Sequence, residues 1–99
     1  MDKIEKLADI FKALSDPTRL RLIKLLNRHN GALCVNALSQ SLGVSQSAVS
    51  QHLRILRQVD IVKGERKGNF VHYELKKDVL RKYKTGIIKT LGEEFTIIS

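Results

Sequence analysis

The sequence predicts a mainly α-helical protein with one small β-hairpin, ordered α-α-α-α-β-β-α, in a single domain over residues 1–99. Two observations predict it. Apolar residues recur at steps of three and four through five stretches, as on one face of a helix. In one stretch near residue 71 the period changes to two, as in a half-buried strand. Pro17 and six glycines punctuate these stretches and set their limits.

The first helix, about 3–14, places Ile4, Leu7, Ala8, Phe11 and Leu14 on one face. Ser15-Asp16-Pro17 ends it and starts the second helix. Asp16 suits the N-cap, and Pro17 suits the first helical position, where its missing N–H costs nothing. The second helix runs to about Arg28 with Leu20, Leu22, Ile23, Leu25 and Leu26 mostly inward, and His29-Asn30-Gly31 closes it. A short third helix after Cys34 carries Ala37, Leu38 and Leu42, and Gly43 suits the left-handed turn beyond it. Ser45 caps a fourth helix that extends to about Val59, with Val49, Leu53 and Leu56 as its inner face. A two-stranded hairpin over about 61–75 then turns at Gly68-Asn69, with Val71, Tyr73 and Leu75 alternating against His72 and Glu74. The last helix, about 77–95, aligns Leu80, Tyr83, Ile87 and Leu91.

Composition narrows the function. Eighteen Lys and Arg against ten Asp and Glu give a net charge of +8, which draws a polyanion, either nucleic acid or an anionic membrane. A membrane role is disfavoured. No apolar run reaches the roughly 18 residues of a bilayer span. The cations are also spread over several elements rather than set opposite one bulky apolar face. The charged, interleaved start MDKIEKLADIF is not a secretory leader, so a cytoplasmic location is expected. No catalytic constellation stands out. Ser50 and His52 are neighbours on a helix and point about 200° apart at roughly 100° per residue, so they form no dyad. The expected protein is not an enzyme.

The fourth helix carries the chemistry. With Val49, Leu53 and Leu56 inward, Ser47, Ser50, Gln51 and Arg54 point the other way, and Gln46 lies at the flank. Gln pairs with adenine N6 and N7, Arg with guanine O6 and N7, and Ser with several bases or a phosphate. The positive start of the helix adds a phosphate site near Ser45. Two helices joined by a short Gly-containing turn, about 35–59, form a helix-turn-helix, whose second helix enters the major groove of duplex DNA. The hairpin that follows, with Lys63, Arg66, Lys67 and Asn69 around its tip, reads as a wing that neutralises phosphates beside the groove. The expected DNA-binding residues are therefore Ser45, Gln46, Ser47, Ser50, Gln51, Arg54, Lys63, Arg66, Lys67 and Asn69.

Three stretches together carry a family resemblance: FKALSDPTRLRLIKLL (11–26), LCVNALSQSLGVSQSAVSQHLRILRQVDIV (33–62) and GNFVHYEL (68–75). They resemble the ArsR family of small winged helix-turn-helix repressors over about residues 4–91. The resemblance implies a bacterial or archaeal homodimer joined through its first and last helices, about 3–14 and 77–95. It implies a palindromic operator and repression of a nearby gene until an inducer, often a metal ion, binds. The two amphipathic end helices agree with a dimer, because a chain this small leaves both faces short of cover.

The sequence departs from the family's metal sites. Its arsenic and cadmium sensors often carry Cys-Val-Cys at the start of the third helix, and here Cys34-Val35-Asn36 stands there. A soft metal requires two to four soft ligands. Zinc sensors of the family use Asp and His on the last helix, but residues 76–99 contain no histidine and only Asp78, Glu93 and Glu94 as carboxylates. His29, His52 and His72 fall on three separate elements and read as surface or packing residues. No cofactor is expected. Cys34 is left as a buried or half-buried structural thiol, with a redox-responsive or partial-ligand role as the sharper alternative. A second function class also fits the residues: a winged helix that binds DNA architecturally, or binds protein, without sequence preference or inducer.

Overall fold

Three of the five helices begin where a side chain can satisfy an unpaired amide. Asp2 Oδ1 accepts from Glu5 N at 2.8 Å, Asp16 Oδ2 from Arg19 N at 3.0 Å, and Ser45 Oγ from Ala48 N at 3.1 Å. These caps open α1 (Lys3–Leu14), α2 (Pro17–Arg28) and α4 (Gln46–Gln58) in a computed structural model that describes residues 2–93. The other elements are β1 (Leu33–Cys34), α3 (Val35–Leu42), β2 (Val62–Lys67), β3 (Phe70–Leu75) and α5 (Lys77–Leu91). Gly43 takes the left-handed conformation at φ 64° and ends α3, as expected.

The core forms where α2, α3 and α4 converge on the sheet. Leu22, Leu38, Val49, Leu53, Leu56 and Ile61 are fully enclosed there, and Leu26, Val62 and Leu75 are nearly so. Tyr83 of α5 packs against this cluster from outside.

Four expectations need correction. The sheet has three strands in the order β1-β3-β2, all antiparallel, because Leu33 and Cys34 pair with Tyr73 and His72. A two-residue strand is too short to show a period in sequence. The hairpin itself turns as predicted: Lys67 faces Phe70, and Gly68 adopts φ 64° in the two-residue loop. Second, α5 stops at Leu91, where Gly92 takes φ 95°; residues 94 and 95 of the expected helix lie outside the described residues. Third, Leu20 is not inward but half exposed, at 50%. Fourth, α1 buries Ile10 and Ala13 against the chain and leaves Ile4 and Phe11, on the face read as apolar, open to solvent. This helix is apolar on two sides, so one chain covers only one of them. Leu91 on α5 is likewise 49% exposed.

Candidate nucleic-acid interface

The short α3–Gly43–α4 turn sets the position of α4. Val49, Leu53 and Leu56 are driven fully into the core, which fixes the rotation of the helix about its axis. Ser47, Ser50, Gln51 and Arg54 then stand exposed on the opposite side and line one shallow, open depression. Gln46 is also exposed, and its Nε2 donates to Asn36 Oδ1 at 3.2 Å, tying the start of α4 to α3. Ser45 is committed to the N-cap through its Oγ, so its hydroxyl serves the helix first. No carboxylate lies on α4, whose charged side chains are Arg54 and Arg57. Its exposed face offers donors, amide acceptors and positive charge, with the positive end of the helix dipole at Ser45.

The hairpin extends this surface. Arg66, Lys67 and Asn69 are exposed near its tip, and Arg66 and Lys67 form no ion pair among the described residues. Lys63 differs: its Nζ lies 3.9 Å from Glu74 Oε1 on the paired strand, so its charge is shared. Gly64 has a steric reason to be glycine, since a Cβ there would come within 2.9 Å of the Tyr73 ring. Phe70, which sequence reasoning did not single out, is 63% exposed beside this tip. It borders a groove shared with Gln46 and Ser50 of α4 and with Cys34. Its place on the His72 and Glu74 side of the strand alternation is the signal that could have marked it as outward.

Cys34 is half-buried, precedes α3 without capping it, and stands opposite His72 in the β1–β3 register. His72 Nδ1 is buried without a hydrogen-bond partner. One thiol and one imidazole fall short of a soft-metal ligand set, and no group of three His, Cys, Asp or Glu side chains able to hold a metal occurs among the described residues. The described residues therefore do not match the family's metal sites.

His52 does not share the exposed face of α4. Its ring is half-buried toward α2, with Nδ1 3.2 Å from Arg19 Nη1 and 3.7 Å from Asp16 Oδ2. The amide of Arg19, bonding to Asp16, holds that carboxyl below its ordinary value despite the opposing effect of desolvation. These partners are far apart in sequence, and no local pattern announces them.

Residues 16–63, from the cap of α2 into β2, match the family described as bacterial regulatory protein, arsR family. An uncharacterised HTH-type transcriptional regulator of Methanocaldococcus jannaschii is 41% identical over 93 residues, covering 94% of this chain and 99% of that relative. The chain belongs to the ArsR family. Transcriptional repressor SdpR of Bacillus subtilis is 36% identical over 73 residues, covering 74% of this chain and 79% of its own length. An ArsR-like transcriptional regulator from Rhodococcus sp. RHA1 superposes with a TM-score of 0.77 at 27% identity, over 93% of this chain and 84% of that one. The ArsR-family chain is thus a winged helix-turn-helix DNA-binding transcriptional regulator: α3 and α4 form the helix-turn-helix, and β2–β3 form the wing. No helix among the described residues is long and apolar enough to cross a membrane.

Proposed function

We propose that this ArsR-family protein is a homodimeric, sequence-specific repressor that binds a palindromic operator through α4 and releases it on a signal still to be identified. The observation that carries this reading is the exposed, carboxylate-free face of Ser47, Ser50, Gln51 and Arg54, set beside the cations of the wing. Gln51 and Arg54 supply base-edge contacts, with Gln46, Ser47 and Ser50 around them. Ser45, Lys63, Arg66, Lys67 and Asn69 hold phosphates, with Arg66 and Lys67 contributing most because their charge is not shared. The exposed Ile4 and Phe11 of α1 and Leu91 of α5 support a second copy as the partner of those helices. Two-fold symmetry then places two copies of α4 about 34 Å apart, one turn of DNA. The protein works in the cytoplasm, by binding and not by catalysis.

Selection of bound duplexes from a random pool tests this reading. A specific repressor enriches one palindrome and prefers it over random DNA by roughly 10³ or more. Equal affinity for all duplexes would instead identify an architectural winged helix.

A further inference from the structure

Arg19 occupies a junction between three helices. Its Nε donates to Ala13 O at 2.6 Å and its Nη2 to Lys12 O at 3.4 Å, both near the end of α1. Ala13 O, in the last turn of α1, lacks an intrahelical donor and is free to accept, whereas Lys12 O already accepts from the amide and hydroxyl of Ser15, so the Ala13 bond is the stronger of the two. Its Nη1 meets Nδ1 of His52, in the middle of α4, at 3.2 Å. A guanidinium only donates, so this contact makes Nδ1 the acceptor and puts the ring proton of a neutral His52 on Nε2. Asp16, the cap of α2, accepts from the Arg19 amide and lies 3.7 Å from the same Nδ1. One planar fork thus joins the last turn of α1 to the middle of α4 across the start of α2. A lysine, with a single point of charge on a flexible stem, does not span these three acceptors in that geometry.

We infer that Arg19, acting through His52, is a positioning residue that fixes the angle of α4 against α1. The inference rests on α4 being the helix that meets base edges. The helix with an uncovered apolar face and the helix with the base-facing side chains then move as one body. His52 is half-buried while its neighbours Gln51 and Arg54 are exposed, so it acts from behind the interface. A second polar contact acts at the C-terminal end of α4: the Tyr83 hydroxyl of α5 donates to Val59 O, at the C-cap. α4 is therefore tied to α1 through Arg19 of α2 and to α5 directly through Tyr83, and α1 and α5 are the helices proposed to meet the second copy. A shift at the junction between copies would reach α4 through Arg19 and Tyr83.

The test uses the full chain, a duplex selected from a random pool, a random duplex of equal length, and a series of salt concentrations. Arg19→Lys, Arg19→Gln and His52→Leu are each expected to lower the selected-to-random affinity ratio by roughly tenfold, the ordinary range of coupling between sites. Affinity for random DNA and the salt slope stay at wild-type values, since no phosphate contact is removed. His52→Asn, whose Oδ1 can accept in place of Nδ1, keeps the ratio within about twofold of wild type. Thermal unfolding of each variant separates this outcome from loss of the fold. A salt slope reduced by about 0.9 per Arg19 lost would make Arg19 a phosphate contact and overturn the inference. Restoration by Arg19→Lys, or equal losses on both duplexes that track the melting temperature, would overturn it as well. A wild-type protein that does not discriminate between the duplexes removes both this inference and the operator reading. A wild type that discriminates, with variants that match it, removes the inference alone.

Discussion

Replacing Arg66 and Lys67 together by alanine isolates the contribution of the wing. Both side chains are exposed, neither forms an ion pair among the described residues, and their backbone pairing with Val71 and Phe70 needs no side chain. The fold therefore loses nothing, and the effect falls on DNA. Lys63 is left in place because Glu74 already shares its charge at 3.9 Å. Each phosphate neutralised adds about 0.9 to the slope of log affinity against log salt. Two contacts per protomer make about 1.8, and a dimer with both wings engaged makes about 3.6. A rise from about 50 to about 200 mM salt is a fourfold change, so the wild type should lose about 150-fold more affinity over that interval than the double variant. Fluorescence anisotropy of a labelled duplex across the salt series reads this directly. An unchanged slope would place the wing away from phosphates, and a slope reduced by only about 1.8 would mean that one wing of the dimer engages.

Three further outcomes are expected. Leu53→Ala empties a fully buried site behind α4 and should cost about 2–5 kcal/mol in urea unfolding, a large share of the roughly 5–15 kcal/mol that holds such domains together; a cost under about 1 kcal/mol would put Leu53 outside the core. Tyr83→Phe removes the hydroxyl that donates to Val59 O and should cost about 1 kcal/mol. Burial pushes the Tyr83 phenol up, and the charge of Asp60 adds to this. A group raised in the folded state stabilises fully below its unfolded pKa, near about 10 for tyrosine, and that stability fades as pH rises through the folded value. The Phe variant should therefore show a shallower alkaline loss of stability, and identical alkaline profiles would refute the assignment. Cys34→Ser should leave operator affinity unchanged, and zinc or arsenite at micromolar concentrations should not release the wild-type complex; metal-driven release that Cys34→Ser abolishes would reinstate a metal site.

Much of the interface is visible in sequence because its determinants are local. The cap at Ser45, the turn at Gly43 and the spacing of Val49, Leu53 and Leu56 define both the limits and the rotation of α4, so its exposed residues follow by geometry. The wing follows for the same reason, from Gly68-Asn69 and the alternation after it. What escaped is non-local or too short. His52 reads as a lone histidine until a residue 33 positions away, Arg19, arrives beside it. β1 has two residues and exists only by pairing with β3. Periodicity also cannot say which of two apolar sides of α1 meets its own chain, and so Ile10 and Ala13, not Ile4 and Phe11, turned inward. Leu20 shows the same limit on α2, being apolar in the sequence and half exposed in the fold.

Operator recognition, as proposed, turns on side chains of α4 meeting base edges. The most direct measurement is the affinity of wild type, Gln51→Ala and Arg54→Ala for a selected operator, for that operator with each base pair changed singly, and for random duplex. Each variant should lose about 1–3 kcal/mol on the operator and become indifferent to one or two base pairs that the wild type distinguishes, while its affinity for random DNA holds. Equal losses on operator and random DNA, with discrimination intact at every base pair, would contradict it.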